Sequence, residues 1–142
     1  MAYIDIFAAV VGLMKSDAGC VSALPGGVHA GRAPTGSLAL GPFAVATEVG
    51  SSPSFTAGAT ATRIDDGSIQ VSCFATSRNA AVVAGNAIEA AITDAVPTLT
   101  EGVAVHLRQT DRRCEIDPDP GPGGSVVWQE IREFRFITAK EI

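Results

Sequence analysis

The chain has 142 residues, 46% of them hydrophobic and 18% charged, so it fits one domain, 1–142, with enough apolar material to argue against disorder along its whole length. A net charge of -5 argues against a phosphate-gripping surface, because nucleic-acid binders carry a basic patch. Aromatics are 6% while glycines number 15 and prolines 8, which predicts a modest core and long irregular connections.

Residues 3–15 predict a first helix, with Ile4, Phe7, Val11 and Met14 at helical spacing and Lys15 in its last turn. Asp17-Ala18-Gly19 is expected to end it. Residues 20–42 carry so many glycines and prolines that they predict mostly loop, with a short strand around Val28 and His29. Phe43 to Val49 alternates as a strand. Gly50 to Gly58 reads as a polar loop whose one aromatic, Phe55, either folds back on the body or waits for a partner subunit.

Thr60–Val96 organises the rest. Thr60, Thr62 and Ile64 share one face of a strand, and Ile69, Val71, Cys73 and Ala75 share one face of another. Asp65-Asp66-Gly67 between them reads as a tight hairpin turn. After a cap at Thr76 or Ser77 the period changes to about 3.6, placing Ala81, Ala84, Ile88, Ala91, Ile92 and Ala95 on one stripe of a helix stopped by Pro97. A stripe of alanines lets a helix lie close to a sheet.

A fourth strand runs from Val103 toward Ile116, and its basic end, Arg108 to Arg113 with Arg112 inside it, reads as solvated or subunit-contacting. Asp117 to Gly124 is too rich in proline and glycine for regular structure. The last strand, Val126 to Thr138, has Val126, Trp128, Phe134 and Phe136 on one side and Val127, Ile131 and Ile137 on the other. Two apolar faces suggest a second copy covering the side without helices, unless a bulge near Glu130 and Arg132 swaps the faces or the strand is central. The expected fold is α+β, an antiparallel sheet with the N-terminal helix and the longer alanine-rich helix packed on one face.

The residues offer no catalytic constellation and no cofactor motif. His29 and His106 have no second metal ligand at a useful spacing. Asp117 and Asp119 each precede a proline and lack a downstream bidentate glutamate, which disfavours calcium. Cys20, Cys73 and Cys114 form no ligand or disulfide pattern; Cys73 reads as a small core residue, and a reduced cytosolic origin fits the set. The N-terminus is not expected to be a signal peptide, and no apolar run is long enough to cross a bilayer as a helix.

The order of elements, with VHAGRAPTGS, PFAVATEVG, the segment SIQVSCFATSRNAAVVAGNAIEAAI and the terminal VVWQEIREFRFIT, resembles the tail-completion or tail-terminator family of long-tailed bacteriophages and gene-transfer particles. That resemblance implies a non-enzymatic structural virion protein assembled in the host cytoplasm. It would form a homo-hexameric ring at the head-proximal end of the tail, end tail-tube polymerisation, and join the tail to the head connector. Its partners would be itself, the tail-tube protein and a neck or head-completion protein, with DNA passing through the lumen without specific binding and no membrane involved. Candidate subunit-interface residues are Phe55, Arg108, Arg112, Trp128, Ile131, Arg132, Phe134 and Arg135. The alternatives are another neck, head-completion or tail-tube ring protein, or a cytosolic ligand-binding domain using a cleft beside residues 24–36. The long approach from Ser37 to Pro42 and the loop from Asp117 to Gly124 depart from the family pattern.

Overall fold

Alternating apolar residues build the sheet, and the computed structural model describes residues 6–55, 62–93, 95 and 103–141 of it and its helices. Helix α1 is Ile6–Ser16 and α2 is Ala18–Ala23. Strand β1 is Val28–Ala30, followed by the one-turn helix α3, Ser37–Leu40, and β2, Phe43–Phe55. Strand β3, Thr62–Ala75, leads into α4, Arg78–Ile92. Strands β4, Val103–Ile116, and β5, Trp128–Glu141, complete a five-stranded sheet of order β1-β2-β3-β5-β4. The β1–β2 pair is parallel and the other three pairs are antiparallel. The architecture is α+β, as the alternating and helical periods predict.

The helices share one core with the sheet. Helix α4 packs on β3, β5 and β4, while α1 meets α2, α4 and β1. Val10 and Met14 of α1, Ile88 and Ile92 of α4, and Ala44, Ala46, Ile69, Val71, Phe134 and Phe136 of the strands are buried in one cluster. The predicted stripe on α4 is borne out at Ala81, Ala84, Ile88 and Ile92, with Gly85 added and Ala91 and Ala95 packed at its margin. Ser77 is the cap, accepting from the Ala80 amide at 3.2 Å. The expected stop at Pro97 lies outside the described residues.

Four local expectations need correction. Asp65-Asp66-Gly67 is no turn: β3 runs through it, paired with 51–53 of β2 on one side and 136–138 of β5 on the other. A strand tolerates these acids because each meets a cation, Asp65 from Arg63 at 3.1 Å and Asp66 from Arg135 at 2.9 Å. The loop expected at 50–58 is strand as far as Phe55, with a register shift between Glu48 and Gly50 absorbing the irregular Val49-Gly50 step. Asp17 does not simply end α1; its carboxylate accepts from the Cys20 amide at 3.0 Å and so starts α2, and α3 is a second short helix in the stretch expected to be loop.

The last strand begins at Trp128, which leaves Val126 outside it. Its register with β3 is continuous, so no bulge at Glu130 or Arg132 swaps its faces; the shifts lie instead on β4, at Ala104/His106 and Gln109/Asp111. Glu130, Arg132, Phe134, Phe136 and Thr138 all fall on the buried, helix-covered face.

Candidate subunit interface

Two charged residues in the most buried row of the sheet follow from that parity. Arg132 is 1% exposed and donates in four directions: Nε to Glu130 Oε1 at 2.9 Å, Nη1 to Glu89 Oε2 at 2.9 Å and to Gln109 Oε1 at 3.1 Å, and Nη2 to Asn86 Oδ1 at 2.8 Å. Arg112 of β4 donates to the same Glu130 oxygen. Two guanidinium groups face two carboxylates, so the cluster is close to neutral where a lone charge would be expelled. Helix α4 leaves room for it through Gly85, since a β-carbon there would stand 2.7 Å from Glu130 Cγ and 3.0 Å from Arg132 Nε.

Burial pushes the Glu130 carboxyl up, but hydrogen bonds from Arg112, Cys114 and Arg132 outweigh it and hold the group below its ordinary value. Its second oxygen, Oε2, is buried without a hydrogen-bond partner among the described residues. Burial pushes the Cys20 and Cys73 thiols up to about 12, so both stay protonated, Cys73 as the core residue expected and Cys20 with its sulfur 3.4 Å from the Ala87 carbonyl oxygen. Among the described residues no group of His, Cys, Asp and Glu is arranged to hold a metal. No described helix is long and apolar enough to cross a membrane.

The residues singled out from the sequence do not form one patch. Arg132 and Phe134 are buried inside the monomer, which removes both as contacts to another subunit; an arginine that looked like a surface charge is the centre of the polar cluster. Ile131, on the helix-free face, is only 6% exposed, so that face is less bare than its sequence suggests. Trp128 is half-buried, Arg108 and Arg112 are exposed, and Arg135 is exposed beside Asp66. The surroundings of the Phe55 side chain, like those of His106, lie outside the described residues. On the face opposite α4 Phe43 and Phe74 stack at 4.9 Å, both half-buried.

Two further surface features stand out, the first overlapping the cleft expected beside residues 24–36. One is a hollow of about 410 Å³ walled by Met14 and Lys15 of α1, Cys20 and Val21 of α2, and Leu24 to Val28 around the start of β1. The other is at the far edge of the sheet, where Ile116 and Val126 are 55% and 53% exposed. The patch at Ile116 and Val126 has no sequence signature, because it depends on which strands end up at the edges.

Residues 8–133 match the family described as Tail completion protein gp17. No curated protein matches the sequence. Among solved structures, a chain from the virion of a native gene transfer agent particle is similar, with a TM-score of 0.63 and 19% identity over 94% of both chains. At that identity the likeness speaks to the fold.

Proposed function

We propose, because the chain belongs to the tail completion protein gp17 family and is on that account a structural component of a phage-type virion, that it closes the head-proximal end of the tail tube as a ring of its own copies. The observation that carries the ring is the layout of the sheet. The sheet ends in β1 on one side and the 14-residue β4 on the other, each without a further strand among the described residues. Edges of this kind demand partners or protection. Opposite edges of one molecule can meet only in a head-to-tail contact, and such contacts close into rings when the rotation allows.

In this reading one face of the ring meets the tail-tube protein and the other a neck or head-completion protein. Arg108, Arg112, Trp128, Ile131, Arg135 and Phe55 remain the proposed contributors to subunit contacts. The net charge of -5 suits a conduit, since a negative lumen repels the phosphates passing through it. The virion role makes no use of catalysis. A ligand-binding role draws less support from the hollow, whose polar wall is little more than Lys15 and a Cys20 thiol already facing the Ala87 carbonyl.

The test is to add purified protein to polymerising tail-tube subunits and image the tubes. Tubes of limited length with one capped end are expected. Cylinders formed by this chain alone would identify it as a tube subunit, and uncapped tubes growing at an unchanged rate would overturn the terminator role.

A further inference from the structure

The two edges of the sheet are matched to each other. Val28, Ala44, Cys73, Glu130 and Cys114 form one continuous row across it, from β1 to β4, on the helix-covered face. One pleat further on, Ile116 pairs with Trp128, and at the same level on the other side Gly26 donates to the Pro42 carbonyl beside the hollow. The apolar Ile116, with Val126 near it, and the hollow beside Val28 are therefore on the same face, at the same height, at opposite edges.

Strand direction and charge agree with that placement. β1 runs parallel to β2, and three antiparallel steps then make β4 run against β1. A second copy shifted across the sheet would bring its β4 alongside β1 in antiparallel sense, the arrangement that forms ladders most readily. The hollow is flanked by the exposed Lys15. Ile116 is flanked by Glu115, Asp117 and Asp119. Apolar surface fits apolar hollow while the lysine at its rim meets acids.

We propose that the subunit contact is this one: Ile116 and Val126 of one copy enter the hollow between α1, α2 and β1 of the next, with β4 laid against β1 and the acids around Ile116 facing Lys15. The proposal rests on the ring reading and names its interface. The contact is heterologous, so repeating it generates a ring rather than a two-fold dimer.

The test uses the full chain carrying both Val21→Cys and Ile116→Cys, two exposed positions whose replacement spares the core, oxidised with copper phenanthroline. A ladder of covalent oligomers up to the full ring is expected on non-reducing gels, and the wild type with its three native cysteines should give none. In parallel, Asp117→Lys should weaken assembly at least tenfold by light scattering, and Lys15→Glu added to it should restore most of the loss. If the wild type assembles but the double-cysteine chain stays uncross-linked and Asp117→Lys assembles normally, this interface is wrong while the ring stands. A ladder that stops at the dimer would replace it with a two-fold contact, and a wild type that never assembles would bring down the ring and this contact together.

Discussion

Arg132 is the residue on which the interior depends most. Its side chain joins β5 to α4 through Asn86 and Glu89, to β4 through Gln109, and to its own strand through Glu130. Ion pairs of this kind add little over a good apolar core, but removing one partner strands the other, at a cost of about 3–5 kcal/mol. The folded-state value of Glu130 lies below its ordinary 4.5, so the unfolded chain takes up the proton more readily. Its contribution is therefore present above about pH 4.5 and is lost as pH falls through the folded value. Glu130→Gln should lower the melting temperature at neutral pH and flatten its decline below pH 4.5 relative to wild type. Thermal melts of both proteins across that range read the difference, and parallel acid declines would contradict the assignment.

The helix–sheet crossing tests the same cluster from the other side. Helix propensity alone favours alanine over glycine at Gly85 by about 1 kcal/mol. Sterics oppose it, since the new carbon would press on the side chains of Glu130 and Arg132, which their hydrogen bonds hold in place. Overpacking costs about 1–3 kcal/mol, so after the propensity gain Gly85→Ala should lower stability by up to about 2 kcal/mol in chemical denaturation. A stabilised variant would show that α4 lies further from β5 than described.

The same elements show what the sequence could and could not yield. The stripe on α4 and the alternation of Ile69, Val71 and Cys73 are local patterns, and both are legible because burial on one side imposes a period. The Asp65-Asp66-Gly67 segment was misread because its acids are neutralised by Arg63 two residues away and by Arg135 from a strand far along the chain, and the second contact has no local trace. The bulge expected near Glu130 and Arg132 has the same origin. Their partners arrive from α4 and β4. The capping of α2 by Asp17 was within reach of sequence reasoning, since an acid three residues before the amide it accepts is a helix start as readily as a stop.

At the scale of the whole molecule, the helix-covered face is complete within one chain while the edges are not. The expectation that the helix-free side of β5 needs a sister copy is weakened by the burial of Ile131, and the case for assembly moves to the hollow beside β1 and the exposed Ile116 at β4. Family membership says in what kind of particle the chain works, and the proposed ring is where its edges would find partners. Closed self-assembly is read from the mass of the purified chain by size-exclusion chromatography with light scattering. The account predicts one discrete species at a fixed multiple of the 14.5 kDa chain, sixfold if the resemblance holds, with no growth beyond it as concentration rises. A 14.5 kDa monomer at every concentration, or open-ended polymer, would contradict it.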